Sequence, residues 1–262
     1  MNREFFVVSE GTTDFEVLKA LILNSGLASG GRYRARALWP ADRNAQKAGW
    51  SSMKNWCKEQ ASALTGNDRR ILAASLLNPK PTESTIRKPA VADKIGAALS
   101  ITAAGHERRL ILQIDADVAH HLIGECVANQ AFTLPLSIAE RRTVCENALK
   151  DWLGGHAQKI GAGILLCVPT VALETWILAT HDQAELHAKC NVPMVIGDYD
   201  HLMNPDKLLV KLGYAGHGSG AQRELRKTVG HYVTYGERIV ARFEDCRARS
   251  MSFDSFCISL AA

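Results

Sequence analysis

Five acidic residues follow closely after apolar segments of the chain, and their type and placement suit the binding of divalent cations. They are Glu10, Asp14, Asp115, Asp117 and Glu174. Carboxylate oxygens are ligands that Mg²⁺ takes in near-octahedral geometry, while water positions stay open to substrate phosphates. Two such ions about 4 Å apart can hold the attacking and leaving oxygens of an in-line displacement at phosphorus. Because clustered carboxylates repel one another in a partly desolvated site, one or two Mg²⁺ or Mn²⁺ ions are the economical explanation for this set.

Spacing along the chain lets neighbouring acids face the same ions. Asp14 lies four residues after Glu10, and since positions i and i+4 share a helix face, Asp14 can point back toward Glu10. Asp115 and Asp117 lie two residues apart, and such residues of an extended chain project to the same side. We therefore expect both pairs to reach a common cluster.

Three apolar runs deliver these acids, and each run is typical of a buried strand. The runs cover residues 4–9, 109–114 and 161–168. In open parallel sheets ligands bind at the carboxyl ends of the strands, which is where the acids would lie. After the first run a turn begins at Gly11, and apolar residues then recur at helical spacing over 15–22. The polar residues at 12–14 can cap this helix.

The remaining periodicity alternates strands with helices. It predicts an α/β fold with a mostly parallel central sheet flanked by helices, followed by a helical C-terminal extension. A further strand is expected at 34–39, and residues 76–88 and most of 179–220 are expected to be irregular. The expected helices cover residues 51–64, 91–99, 139–153, 173–178 and 222–249, with a short one near 252–256.

Composition and charge narrow the class of protein. A chain with 47% apolar and 22% charged residues is an ordinary globular protein, and its net charge of +4 is compatible with a polyanionic partner. The seven cysteines form no CxxC pair, and their odd number favours reduced thiols over a disulfide framework. No apolar stretch approaches the roughly 20 residues of a membrane span and no signal peptide is recognisable, so we expect a cytoplasmic protein without a membrane partner.

Two motifs, in this order, resemble the hallmarks of the TOPRIM superfamily. The first is VVSEGTTD at 7–14, and the second is IDAD at 114–117. The wider layout is similar to the small prokaryotic TOPRIM nuclease-like families exemplified by the OLD and RloB groups, some of which occur beside defence genes. The segments GWSSMKNWC at 49–57, PTVALETW at 169–176 and RKTV at 226–229 also fit that subgroup.

The resemblance implies a Rossmann-like TOPRIM core at residues 1–180 and a mostly helical extension at 181–262 packed on it. Residues 61–106 match no named segment, so a helical or loop insertion is expected at about 60–105. The implied metal ligands are Glu10, Asp14, Asp115, Asp117 and Glu174, and the implied catalytic residues are Glu10, Asp115, Asp117 and Lys227.

Basic residues within the C-terminal extension complete the expected site. In related nucleases a lysine beyond the last acid assists catalysis, and by position Lys227 matches it, with Lys207 and Lys211 as competing candidates. Arg223, Arg226 and Lys227 form a basic group that we expect to bind nucleic-acid phosphates.

These features favour a metal-dependent TOPRIM-type nuclease acting on DNA or RNA, within a prokaryotic anti-phage defence or toxin-like module. Related nucleases often rely on a separate ATPase, so an ATPase partner is compatible with this interpretation, as is a homo-oligomer. Two other interpretations share the acid cluster. One is a non-catalytic TOPRIM-fold subunit that senses nucleic acid or a phage protein, and the other is a phosphohydrolase acting on small phosphate compounds.

Other residues admit both a structural and a functional interpretation. His120 and His121 follow the second motif and suit a metal ligand, a general base or plain surface positions. The segment 198–201 (DYDH) repeats acids in a loop, and the glycine-rich segment 216–220 suits either a loop that closes over phosphates or a linker. Core packing is the favoured interpretation for Trp50, Trp56 and Trp176.

Overall fold

Four strands, all parallel, form the central sheet. The computed structural model describes residues 2–41, 49–77, 93–100, 106–194, 197–220 and 223–262. The strands are β1 (Asn2–Val8), β2 (Arg32–Trp39), β3 (His106–Gln113) and β4 (Ile164–Cys167), and β5 (Gly216–His217) and β6 (Glu224–Leu225) form a small antiparallel pair. The order in the central sheet is β2-β1-β3-β4.

Helices cover both faces of the sheet and make up most of the C-terminal part. They are α1 (Thr12–Ala28), α2 (Trp50–Leu77), α3 (Lys94–Ser100), α4 (Ala119–Leu122), α5 (Ile138–Leu153), α6 (Gly155–Ile160), α7 (Glu174–Leu178), α8 (Gln183–Cys190), α9 (Pro205–Lys211), α10 (Val229–Ala241), α11 (Phe243–Arg249) and α12 (Met251–Ala261). The predicted α/β class, with a parallel sheet flanked by helices and a helical C-terminal part, is confirmed. Most of the loop expected at 76–88, the start of the helix expected at 91–99 and part of the insertion expected at about 60–105 lie outside the described residues.

Alternate strand residues pack on opposite faces of the sheet. Phe5 and Val7 of β1 lie in one hydrophobic cluster with α1 and the C-terminal helices. Phe6 and Val8 lie in a second cluster with α2 and α5. This is the period-two geometry of a strand, and burial on both faces explains why the strand sequences read as continuous apolar runs.

The strand order creates a topological switch point between β1 and β3. The chain leaves β1 toward β2 on one side and returns to β3 on the other. Val8 pairs with Leu112, and Gln113 pairs with Cys167, so β1, β3 and β4 end at nearly the same level. In open α/β sheets ligands bind in the crevice outside the carboxyl ends at such a point.

Helix α1 begins directly after the first strand, but its cap differs from the prediction. Gly11 is the N-cap and makes no side-chain cap hydrogen bond, while Thr12 is already helical. The predicted cap at 12–14 is wrong because these residues form the first helical turn. A Cβ on Gly11 would lie 3.2 Å from Asp14 Oδ2, so the glycine leaves room for that carboxylate at the positive end of the helix dipole.

The C-terminal helices pack on the face of the sheet that carries α1. Helix α10 contacts α1, and α12 contacts both α1 and β4. The buried Trp176 ring lies edge-on to Phe253 at 5.3 Å and stacks on Phe256 at 5.6 Å. Residues on both sides of the domain boundary predicted at 180 and 181 therefore share one hydrophobic cluster.

Two predicted segments of the C-terminal part differ in the structure. The expected irregular stretch at 179–220 contains α8 and α9, and the single helix expected at 222–249 is divided into β6, α10 and α11. Thr228 caps the N-terminus of α10 by accepting a hydrogen bond from the His231 N–H. Side-chain caps therefore set helix starts that apolar periodicity alone does not show.

Two further expectations from the sequence concern reduced cysteines and the lack of a membrane-spanning segment. All seven cysteines are buried and free. Among the residues described above, no helix has both the length and the apolar character needed to cross a bilayer.

Candidate metal centre

Glu10 and Asp115 meet where β1 and β3 end. The Asp115 N–H donates to Glu10 Oε2 at 3.3 Å. The Trp50 N–H, at the start of α2, donates to Glu10 Oε1 at 3.3 Å, and the Gly49 N–H donates to the Glu10 backbone oxygen at 2.8 Å. Glu10 therefore lies at the N-terminal end of α2, where unpaired N–H groups and the helix dipole favour a carboxylate.

Gln113, the last residue of β3, joins these two acids, and sequence reasoning does not identify it. Its buried amide accepts from the Glu10 N–H at 3.0 Å and donates through Nε2 to Asp115 Oδ1 at 2.9 Å. The signal in the sequence is a polar residue inside the apolar run at 109–114. A buried amide needs hydrogen-bond partners, and those partners are visible only once the strands are placed.

The loop before α7 brings Glu174 to the same place. Backbone hydrogen bonds of 3.0–3.1 Å dock residues 116–117 onto residues 169–171. The Leu173 N–H donates to Asp115 Oδ1 at 3.2 Å. Glu174 is the next residue, begins α7 and is 1% exposed. Hydrogen bonds thus join the chain segments that carry the acids after β1, β3 and β4.

Two side chains from the C-terminal part hold Glu174. Lys227 Nζ lies 2.8 Å from Glu174 Oε1, and the Tyr232 hydroxyl donates to the same oxygen. Lys227 lies between β6 and α10, and Tyr232 is fully buried on α10. The competing lysines, Lys207 and Lys211, lie on α9. Tyr232 is a second residue that sequence reasoning misses, because it belongs to no motif.

Asp14 and Asp117 lie in different elements beside the cluster and differ in burial. Asp14 is buried in the first turn of α1, and its pKa is raised by burial and then by the charges of Glu174 and Glu10. The helix face predicted to be shared by Glu10 and Asp14 is wrong, because Glu10 precedes the extended N-cap Gly11 and lies outside α1. Asp117 lies exposed in a one-turn 3-10 helix at Ala116–Val118. The extended geometry predicted for Asp115 and Asp117 is therefore wrong, because the chain turns immediately after Asp115. Asp117 is still near enough for its charge to raise the pKa of Glu10.

Burial and mutual repulsion raise the pKa values of Asp115, Asp14 and Glu10. Burial has the largest effect on Asp115, whose pKa is held well above its usual range with further contributions from Asp14 and Glu174. Burial, followed by the Glu174 charge, raises the pKa of Asp14 to about 7, although Lys227 opposes this. Burial raises the pKa of Glu10 as well, against the hydrogen bond from the Asp115 N–H. A bound cation would reverse these shifts.

Lys227 provides a positive charge at the cluster. Desolvation by itself lowers the pKa of this lysine, but the Glu174, Asp115 and Asp14 carboxylates raise it above its usual value. The cluster therefore favours a cation, and its five carboxylates are the oxygen ligands that Mg²⁺ or Mn²⁺ takes. The residues fit such an ion by charge and donor type. Within the described part of the chain, the side chains as they stand form no group of three or more His, Cys, Asp or Glu that could hold a metal ion.

The basic group beside Lys227 is fixed by the small β-pair. Arg223 and Arg226 flank β6, and the Arg226 N–H donates to the Ala215 oxygen at 2.8 Å. Both arginine side chains are exposed. The glycine-rich segment 216–220 begins in β5, which pairs with β6. Arg226 directly precedes Lys227 along the chain, and exposed guanidinium groups are suited to phosphate contacts.

The other polar candidates have structural contacts. Asp200 is buried and accepts hydrogen bonds from Ser250 Oγ at 2.8 Å and from the Ser252 N–H at 2.7 Å, at the start of α12. Asp198 accepts from the Asp200 N–H at 3.0 Å. These contacts anchor α12 and account for the acids at 198–201 without a metal.

The two histidines after the second motif are exposed, whereas Trp176 is buried and Trp50 and Trp56 are partly buried. His120 Nδ1 lies 2.9 Å from a backbone carbonyl oxygen, and the exposed His121 ring stacks on Trp50 at 5.8 Å. Trp50 and Trp56 pack at the edge of the second cluster and Trp176 lies inside the first, which agrees with the predicted packing role.

No family model matches the chain, and comparisons with curated proteins and with solved structures find no match either.

Proposed function

We propose that this chain is a metal-dependent TOPRIM-type nuclease that hydrolyses phosphodiester bonds in DNA or RNA. The observation that carries the proposal is the set of hydrogen bonds joining the segments after β1, β3 and β4 around five acids at the switch point. Carboxylates such as Asp115, Asp14 and Glu10, whose pKa values are raised first by burial and then by neighbouring negative charges, are stabilised by a divalent cation. The motif resemblance supports the reaction class, and the net charge of +4 suits a polyanionic substrate.

The proposed metal ligands are the five acids of the cluster. They are Glu10, Asp14, Asp115, Asp117 and Glu174. When bound, one or two Mg²⁺ or Mn²⁺ ions supply an activated water and charge stabilisation at the phosphate.

The remaining roles belong to the side chains of this chain. Backbone N–H groups hold Glu10 and Asp115, so these carboxylates need little reorganisation during the reaction. Lys227, half exposed beside Glu174, donates to a phosphate oxygen and neutralises developing charge. Arg223 and Arg226 bind neighbouring phosphates and align the polymer.

A nuclease assay with Mg²⁺ and with Mn²⁺ tests this proposal. Wild type should cleave single- or double-stranded DNA or RNA, and Asp115→Ala/Asp117→Ala should abolish cleavage. The matched control Asp151→Ala/Asp206→Ala removes the same charge on α5 and α9 and should leave cleavage intact. Metal-dependent cleavage that survives the first double substitution would refute the site assignment.

The same assay separates the two other interpretations. Nucleic-acid binding without cleavage by wild type would indicate a sensing subunit, and hydrolysis of small phosphate esters alone would indicate a phosphohydrolase. Placement in the cytoplasm, within a defence or toxin-like module that includes a separate ATPase or a homo-oligomer, rests on the resemblance. Co-purification with the products of neighbouring genes tests that part.

A further inference from the structure

We infer that Gln113 is a positioning residue that fixes Asp115 and ties it to the end of β1. The inference rests on the proposed function, because it names a residue that prepares the same metal site. Gln113 touches neither substrate nor metal in this proposal. It acts through the carboxylate of Asp115 and the backbone of Glu10.

The hydrogen bonds of Gln113 close a ring with the two acids. The Glu10 N–H donates to Gln113 Oε1 at 3.0 Å, and Gln113 Nε2 donates to Asp115 Oδ1 at 2.9 Å. The Asp115 N–H then donates back to Glu10 Oε2 at 3.3 Å. Every member of the ring is held by the next, so the carboxylates of two adjacent strand ends are fixed relative to each other.

The amide is suited to this place because it carries an acceptor and a donor on one planar group. A carboxylate at this position would accept from the Glu10 N–H but would repel Asp115. An apolar side chain would remove the acceptor of the Glu10 N–H and one of the two donors to Asp115 Oδ1. Glutamine also adds no charge to a cluster in which the Asp115 carboxylate already faces Asp14 and Glu174.

A second donor holds the same oxygen of Asp115 from the other side. The Leu173 N–H donates to the same oxygen, Asp115 Oδ1, at 3.2 Å. The side chain of Asp115 is therefore held between β3 and the loop that carries Glu174. Gln113 is fully buried, so water cannot replace its amide without opening the sheet edge. Residues that orient metal ligands in this way usually change metal affinity about 10–100-fold when removed.

The test compares two buried glutamines by titrating the full chain with Mn²⁺ in a calorimeter, without substrate. Gln113→Leu should weaken Mn²⁺ binding about 10–100-fold relative to wild type. Gln60→Leu is the matched control, because Gln60 is also buried and its Oε1 accepts from the Lys94 N–H at 2.7 Å, far along the chain from the acids. It should lose comparable stability and keep wild-type Mn²⁺ affinity.

A double-mutant cycle shows whether Gln113 acts through Asp115. In an Asp115→Asn background, Gln113→Leu should change Mn²⁺ affinity less than about twofold, since the partner that it orients is already altered. Full additivity of the two effects would overturn the inference. If Gln113→Leu does not fold, Gln113→Asn replaces it, because its amide is one methylene too short to bridge both partners.

The outcomes separate this inference from the proposed function. If wild type binds Mn²⁺ and Asp115→Asn weakens binding, while both Gln113 variants bind as tightly as wild type, the positioning role is refuted and the metal site stands. If wild type does not bind Mn²⁺, or Asp115→Asn binds as well as wild type, the metal site itself is refuted, and the role of Gln113 with it.

Discussion

Replacing Asp14 with asparagine should make the metal-free protein more stable at and above neutral pH. Asp14 is 8% exposed, and burial, followed by the Glu174 charge, raises its pKa from 3.8 to about 7. The unfolded chain loses this proton near pH 4, so between about pH 4 and pH 7 the folded state binds one proton more. Stability therefore falls as the pH rises through that window. Because asparagine stays neutral, the Asp14→Asn variant does not lose this stability as the pH rises.

The expected size follows from the two pKa values. Their difference is about 3 units, and each unit corresponds to about 1.4 kcal/mol. Ionisation of Asp14 thus destabilises the folded protein by at most about 4 kcal/mol above pH 7 and by almost nothing below pH 4. The amide oxygen of asparagine can still accept the hydrogen bond from the Gly11 backbone N–H. We therefore expect the free energy of unfolding of Asp14→Asn to exceed that of wild type by about 2–4 kcal/mol at pH 8.

Urea unfolding in EDTA at about pH 4, 6 and 8 measures this gain through the unfolding midpoint at constant m-value. Asp151→Asn, on the exposed end of α5, is the control and should match wild type at each pH. Added Mg²⁺ should then stabilise wild type more than Asp14→Asn, because a ligand stabilises the state that binds it.

Two results would refute this reasoning. If the difference in free energy of unfolding between Asp14→Asn and wild type does not change from pH 4 to pH 8, the folded state does not raise the pKa of Asp14. If Mg²⁺ raises the stability of both proteins equally, Asp14 is not a metal ligand.

Three shorter predictions concern Tyr232, Lys227 and Arg226. Tyr232→Phe should lower the free energy of unfolding by about 1.5–3 kcal/mol, since it removes a buried hydrogen bond to that carboxylate, and an unchanged urea midpoint would contradict this. Lys227→Met should lower the cleavage rate about 10²–10³-fold while Lys207→Met leaves it unchanged, and equal effects in single-turnover assays would reject the choice of lysine. Arg226→Gln should weaken nucleic-acid binding and lower the slope of log K against log salt by about 1, as measured by fluorescence anisotropy, and an unchanged slope would exclude a phosphate contact.

The strands could be predicted from the sequence because their signals are local. The apolar runs at 4–9 and 109–114 became β1 and β3, with bounds shifted by a few residues. Since a parallel sheet aligns the carboxyl ends of its strands, the strand pattern alone was enough to expect Glu10 and Asp115 at one edge. The helix face predicted to be shared by Glu10 and Asp14 was wrong, because Glu10 lies before the extended N-cap Gly11 and helical periodicity does not reach it.

Some element boundaries were predicted wrongly although the signals were present. Helix α8 begins at the Asp182 cap, which accepts from the Glu185 N–H at 2.8 Å, and α9 begins with Pro205 at its first position. Both are ordinary helix starts, but the polar composition of 179–220 obscured them. The turn after Asp115 was missed because two residues of spacing fit an extended chain and a tight turn equally well.

The sequence by itself determined the α/β class, the strands and the acids that follow them, because each depends on the periodicity or residue types of a short segment. Only the tertiary structure decided that Gln113 bridges Glu10 and Asp115, and that Lys227 and Tyr232 converge on Glu174. These contacts join residues far apart along the chain. They depend on how α10 packs against α1 and how the strands order themselves, and the sum of many weak packing interactions sets that arrangement rather than any local pattern.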